Sequence, residues 1–421
     1  MTTFPFILFV SKGFLMVLTL RPHQVRALEA MDEHRIGQIV VPTGGGKTMI
    51  MIQHACGVLD DGNNTIVVVA PRILLAQQLS REFSSFLDDV DIMHVHSGNA
   101  DHYSSTKSED VATWHNPDRK QILFATYHSL HRIIESGIKV DVVYYDEAHN
   151  SCARSFYPSV KFYSSLVDVR SYFFTATPKF STLTKKPGMN DVTVYGDIIE
   201  NVPAPELIEG GSLIPPTIVP FDMDINVTRG SEHIHDSNAI VKCLKTIEHE
   251  SPKVVVSIRS SRVLDNMLGR TSLLEDLKEL GYDVMHVTSK FGAYVNEKKV
   301  HRTTFIKTLN DWGKSGRKFI VLHYSILSEG ISVAGLTHCI MLRQLGIIET
   351  AQTIGRVIRL NKDDIKDINN GTIQAGNLAM YRKSTGFVCT PAKSIHTVKR
   401  IQRVVDDIFV KGIPPLPLAY K

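Results

Sequence analysis

Three short stretches of this 421-residue chain carry residue types at spacings suited to phosphate chemistry. The first is Pro42-Thr43-Gly44-Gly45-Gly46-Lys47-Thr48. Glycines let backbone N–H groups close around phosphate oxygens, and a helix start adds partial positive charge. Lys47 can reach β- and γ-phosphates, and the Thr48 hydroxyl can hold Mg²⁺. The generic phosphate-loop pattern has glycine where this chain has Val41. The second stretch is Asp146-Glu147-Ala148-His149, delivered by the apolar run Val142-Val143-Tyr144-Tyr145. Two acids at a strand tip can divide the work of a Mg-ATPase. Asp146 would hold Mg²⁺, directly or through water, while Glu147 would orient and deprotonate the attacking water. The third runs from Gln352 to Arg359, and its spacing predicts Gln352, Arg356 and Arg359 along one side of a helix. Arginines aimed at a γ-phosphate stabilise transition-state charge, an effect of about 10³–10⁵ in rate in related systems. Alone, the first stretch has a plain structural reading as a glycine turn and the third as a solvated helix face. Their succession in one chain favours the chemical reading.

Short apolar runs alternating with amphipathic stretches would position these residues. Leu20–Met31 reads as a helix with Pro22 in its first turn, and Ile36–Val41 as the strand entering the glycine loop. A helix from Met49 follows. Thr65–Ala70, Asp91–His96, Gln121–Thr126, Val140–Tyr145 and Ser171–Thr175 read as further strands of a buried parallel sheet. The polar stretch Gly98–Lys120 reads as a solvated loop. Asn201–Pro220, with five prolines and Gly210-Gly211, reads as a connector. The alternation then restarts with strands at Lys253–Ile258, Tyr282–Thr288, Lys318–His323 and Thr337–Leu342, and a last helix from Glu349 through Arg359. Ser272 with Glu275 predicts a capping box for a helix Leu273–Leu280 that stops at Gly281. Right-handed βαβ units follow from this rhythm. The predicted division is an N-terminal extension 1–18, a first domain 19–200, a linker 201–235, a second domain 236–390 and a basic tail 391–421.

Composition narrows the class. With 43% hydrophobic and 21% charged residues the chain reads as a soluble globular protein, and a net charge of +4 permits a basic groove without demanding one. Five scattered cysteines form no Cys-x-x-Cys pair, which disfavours a disulfide framework or zinc ribbon and fits a reducing, cytoplasmic setting. His94/His96 and His233/His235 would share a face on strands, and are read as surface or internally bonded histidines rather than ligands. Phe4–Leu20 is short for a membrane span, interrupted at Ser11-Lys12-Gly13, and lacks the flanks of a signal peptide. Met16 immediately precedes the first recognisable motif, so translation is expected to start there. An intact mass that includes Thr2–Leu15 contradicts this.

The motifs together resemble those of a superfamily 2 helicase of the Asp-Glu-Ala-His class, in family order from Leu20 to Leu360. Leu20-Arg21-Pro22-His23-Gln24 resembles the adenine-reading motif, with Gln24 as the base contact. Thr43, Gly44, Gly45, Gly46, Lys47 and Thr48 fall in motif I, and Ala70-Pro71-Arg72 is similar to motif Ia. Thr126-Tyr127-His128-Ser129-Leu130 resembles the next strand-contact motif. Asp146–His149 is similar to motif II, with His149 in the catalytic set, and Thr175-Ala176-Thr177-Pro178 to the coupling motif III. Val254–Arg259 resembles motif IV. Ser328–Ser332 resembles motif V, with Glu329 and Gly330 on the nucleotide, and Gln352–Arg359 resembles motif VI. Motif V often has an acid where this chain has Ser332.

The resemblance implies two tandem RecA-like α/β domains, each a mostly parallel sheet flanked by helices, using ATP and Mg²⁺ in a cleft between them. It also implies nucleic acid gripped mainly by its backbone, with Arg72, Thr126 and Ser257 as contacts and Thr175 and Thr177 as coupling residues. The motif set is most similar to the DNA-directed branch of XPB-like repair helicases, phage branch-migration helicases and restriction-enzyme motors. The short length resembles a phage or viral member, which would work in host cytoplasm. The leading expectation is an ATP-dependent helicase or translocase on DNA forks, junctions or R-loops. The competing readings are an RNA helicase or transcript-release factor, and a non-hydrolysing nucleic-acid clamp.

Overall fold

A computed structural model describes residues 6–11, 14–62, 65–98, 100–183, 185–222, 228, 230–288, 290–324, 333, 335–342, 345–392 and 395–413. Two antiparallel strands open the chain, β1 (Phe6–Ser11) and β2 (Phe14–Thr19). The contacts then divide the chain into one compact unit, mainly Met1–Pro42 with Gly46–Val202, and a second, mainly Pro203–Pro415, with which Thr43–Gly45 is grouped.

The first unit is built on β3 (Ile36–Val40), β4 (Thr65–Ala70), β5 (Asp91–Val95), β6 (Tyr103–Ser104), β7 (Gln121–Thr126), β8 (Val142–Tyr145), β9 (Arg170–Thr175) and β10 (Ile198–Asn201). Their order is β10-β3-β9-β8-β4-β7-β5-β6, and every pairing is parallel. Parallel pairing requires crossovers, which lay helices on both faces. The inner strands are therefore apolar throughout rather than alternating. In β4, Ile66 to Ala70 are all fully buried, and Val142–Tyr145 of β8 is equally inaccessible. Each buried Val or Ile among them contributes roughly 1.5–3 kcal/mol over exposure.

The second unit carries β11 (Pro216–Phe221), β12 (Lys253–Ser257), β13 (Asp283–Thr288), β14 (Gly292–Val295), β15 (Lys298–Val300), β16 (Phe319–His323), β17 (His338–Met341) and β18 (Gly386–Pro391). Their order is β11-β18-β17-β12-β16-β13-β14-β15, parallel from β11 to β13 and antiparallel in the terminal hairpin. Two parallel-dominated sheets with flanking helices are the fold class expected from the sequence.

Several local expectations need correction. The proline-rich stretch holds a helix, Ala204–Glu209, and then β11, so it is not a bare connector. Prolines 216 and 220 are tolerated because β11 lies at the sheet edge, where fewer ladder donors are needed. Within Gly98–Lys120, β6 and the helix Ser108–Trp114 replace the open loop, anchored by fully buried Val111. The Ser272 hydroxyl donates to Asp276 Oδ2 at 2.8 Å instead of capping its helix, though Gly281 does turn left-handed at the far end. His233 and His235 lie on the helix Glu232–Lys245, where residues two apart do not share a face. His94 and His96 are buried and bond each other at 3.0 Å between Nδ1 and Nε2, with Ser80 Oγ 3.0 Å from His94 Nε2. No described helix is long and apolar enough to cross a membrane.

Candidate functional site

Parallel strands release their chain at one sheet edge, and ligands of open α/β sheets bind beyond those carboxyl ends. In the first unit the neighbours β3, β9 and β8 deliver, side by side, the glycine loop, Thr175 and the Asp146-Glu147 pair. Residues more than a hundred positions apart in the chain thus meet at one edge.

After β3 the loop turns into the helix Lys47–Asp60. Gly46, its N-cap, has φ 89°, a left-handed value that other residues adopt only under strain. A Cβ there would also stand 2.6 Å from Gln24 Nε2. Gly46→Ala is therefore expected to destabilise the unit by roughly 1–2 kcal/mol from backbone strain alone. A urea midpoint equal to the parent's contradicts that. Lys47 begins the helix, and its Nζ donates to the Val41 carbonyl at 3.2 Å, a contact that phosphate oxygens could replace. Gln24 is buried: its Oε1 accepts the Arg21 N–H at 2.9 Å, and its Nε2 faces the Gly46 carbonyl at 3.4 Å. The expected base contact is thus joined to the last glycine of the loop.

Asp146 and Glu147 follow β8, both about 7% exposed. Asp146 is fixed by backbone: its N–H donates to Val69 O at 2.8 Å, and its carbonyl accepts the Tyr127 hydroxyl at 3.0 Å. Burial raises the pKa of its carboxyl, the charge of Glu147 adds to the rise, and Lys47 opposes it. Glu147 adopts φ 45°, ψ 53°, uncommon for a residue with a side chain. Its buried Oε2 accepts no hydrogen bond and stands 3.5 Å from His149 Nδ1. Two adjoining buried acids, one of them short of partners, fit a divalent cation that would supply the counter-charge. Mg²⁺ is commonly held by one or two carboxylates with water and substrate phosphates. Among the described residues no group of three His, Cys, Asp or Glu side chains is arranged to hold a metal by itself.

His149 links this pair to the next strand. Its Nδ1 lies 3.1 Å from Thr175 Oγ1, which also accepts the Thr177 N–H at 3.0 Å. Asn150 Nδ2 donates to the Glu147 carbonyl at 2.9 Å and faces His149 Nε2 at 3.3 Å. An amide donor at Nε2 leaves the proton of a neutral ring on Nδ1, pointing at Thr175 and Glu147. Asn150 and Tyr127 were not singled out from the sequence, although each lies within or beside a motif that was.

The expected nucleic-acid residues fall into two groups. Arg72 is exposed at the N-cap of Ile73–Ser84, two residues after β4. Thr126, Thr175, Thr177 and Ser257 are buried at or just beyond strand ends. The Thr126 hydroxyl bonds Ser129 Oγ at 2.9 Å, and Ser129 Oγ in turn donates to the Val95 carbonyl, so these side chains shape the strand ends from within.

In the second unit Gln352 and Arg356 occupy the helix Ile347–Val357, with Arg356 buried. Arg359 does not continue that helix: Ile358 ends it, and Arg359 forms an isolated bridge with Leu213. Glu329, Gly330 and Ser332 lie outside the described residues.

A family model described as "Type III restriction enzyme, res subunit" matches residues 17–180, which include the glycine loop and the acid pair. No curated protein matches the chain in sequence. Among solved structures, the type ISP restriction-modification enzyme LlaBIII bound to DNA aligns with TM-score 0.67 and 14% identity, over 96% of this chain and 31% of that one. A nuclease-deletion mutant of the type ISP enzyme LlaGI, in complex with a DNA substrate mimic, aligns with TM-score 0.58, 17% identity and coverages of 93% and 29%. An HsdR-subunit fragment of a type I restriction enzyme from Vibrio vulnificus YJ016 gives 0.58, 15%, and 94% against 66%. At these identities the likeness establishes the fold, two tandem RecA-like units. The chain spans under a third of each type ISP enzyme.

Proposed function

We propose that this chain is an ATP-driven motor on DNA, a superfamily 2 helicase or translocase acting at forks, junctions or R-loops. The observation that carries the ATPase part is the buried Asp146-Glu147 pair on the same sheet edge as Lys47. Gly44 to Gly46 and Lys47 would hold the phosphates, with Thr43 at the loop's start and Gln24 toward the base. Mg²⁺, held by Asp146 and Thr48, would neutralise charge on the β- and γ-oxygens. Glu147 takes the proton of the attacking water, and His149 passes its state to Thr175 and Thr177. Gln352, Arg356 and Arg359 carry over from the motif resemblance as the groups that would stabilise γ-phosphate charge. The choice of DNA is supported by the res-subunit family model and by the likeness to the two DNA-complexed type ISP enzymes.

Steady-state ATP turnover without nucleic acid, and with single-stranded DNA, forked DNA or RNA, tests the reading, with Lys47→Ala as control. Stimulation by DNA, greatest on forks, is expected. Stimulation by RNA alone would replace the DNA reading, and no turnover under any condition would remove the enzyme.

A further inference from the structure

Lys383, three residues before β18, belongs to none of the motifs above, yet it touches one of them and the segment that leads into β17. Its ammonium donates to the carbonyls of Leu336 at 2.6 Å, Val357 at 2.7 Å and Arg359 at 2.8 Å. Three acceptors use every proton an ammonium has. Val357 and Arg359 close the Gln352–Arg359 stretch, and Leu336 follows Ser332 by four residues. We propose that Lys383 is a positioning residue that ties the backbone at Leu336, ahead of β17, to the backbone carrying Arg359. The proposal rests on the ATPase reading above.

The need for such a tie is structural. Helix Ile347–Val357 leaves its last carbonyls without intrahelical partners, and Arg359 lies beyond its end. On one side the backbone there is held by Leu213 and by the Ile214 N–H on the Ile358 carbonyl at 2.9 Å. Lys383 holds the other side. It is itself located by Asp364, fully buried, whose Oδ2 accepts the Lys383 N–H at 3.2 Å. Asp364 Oδ1 accepts Arg382 N–H and Nη1 at 3.1 and 3.0 Å. Close passage of the strand that follows is secured at Gly386, where a Cβ would stand 2.4 Å from the Val357 carbonyl.

The surroundings make the tie sensitive to charge. Burial, then Arg359 and Lys253, push Lys383 from 10.5 down to about 7, while Asp364 pulls the other way. His338 and His249 also face it, and both are held below the usual imidazole value with Lys383 among the causes. An amine has two protons for three carbonyls, so one carbonyl is released as pH rises through about 7. Between that pH and the unfolded value of 10.5 the unfolded chain binds the extra proton, so this group makes stability rise with pH. The Lys383-dependent part of turnover is expected to fall around pH 7, where stability begins to rise, a divergence that a purely structural role would not produce.

The test measures kcat, KM for ATP and thermal midpoint with saturating single-stranded DNA, for the parent, Lys383→Met and Lys383→Arg. A shift of the Arg359 backbone by a fraction of an ångström is expected to lower kcat of Lys383→Met roughly 10- to 100-fold. KM for ATP should change less than about twofold because the phosphate loop is untouched. Lys383→Arg, which keeps the charge, should recover most of the loss. A Lys383→Met kcat equal to the parent's overturns the proposal, and so does equal loss in both variants. If Lys383→Met fails to fold, the ratio of parent to Lys383→Arg kcat across pH decides, since both share the ionisation of Asp146: a ratio that falls as pH rises through about 7 supports the tie, and a constant ratio overturns it. A parent without turnover would instead sink the ATPase reading.

Discussion

Lys47→Ala is expected to abolish measurable ATP turnover while leaving the fold intact. Lys47 is the only lysine in the glycine loop, and its Nζ rests on the Val41 carbonyl at 3.2 Å. Removing a cation aimed at developing phosphate charge typically costs about 10²–10³ in rate. Here a second loss adds to the first. Lys47 is the positive charge that opposes the upward displacement of the Asp146 carboxyl, so its removal leaves that carboxyl protonated to higher pH and a poorer Mg²⁺ ligand. Alanine is the best helix former, so the first turn of Lys47–Asp60 should survive. Turnover and thermal midpoint measured together check this. An unchanged midpoint with turnover down at least about 100-fold is expected, and turnover within a factor of a few of the parent would contradict the role of the loop.

Glu147→Gln should separate binding from chemistry. The substitution keeps size and shape but removes the proton acceptor, which commonly costs about 10²–10⁴ in rate. It also removes the charge that, after burial, most raises Asp146, so Mg²⁺ and nucleotide should bind at least as well as in the parent. The variant is therefore expected to accumulate in the nucleotide-bound state. Single-turnover hydrolysis beside a fluorescent-nucleotide titration reads both. If hydrolysis proceeds at the parent's rate, Glu147 is not the base, and another group must take the proton.

What could be read from the sequence was what is encoded locally. Short apolar runs placed β4 and β7 at their observed limits, because strands buried on both faces read as continuous apolar stretches. The glycine loop and the acid pair were equally visible, since their chemistry needs contiguous residues. Features set by tertiary partners were not. The helix of the third stretch ends at Val357 because Ile358 leaves helical geometry and Arg359 is captured by Leu213, which lies far away in the chain. Thr126 has the composition of a contact residue, yet its hydroxyl turns inward because Ser129 and the Val95 carbonyl complete a buried network. β11 was hidden by its own prolines, which are compatible with a strand only once the edge position is known. Lys383 had no local signature at all, since its importance lies in three carbonyls contributed by two distant segments.

If ATP hydrolysis moves this protein along DNA, as proposed, it should displace the third strand of a DNA triplex in its path. Release of the third strand is expected to require ATP, to stop with a non-hydrolysable analogue, and to be lost in Glu147→Gln. DNA-stimulated hydrolysis that leaves the third strand in place at every DNA length would contradict movement.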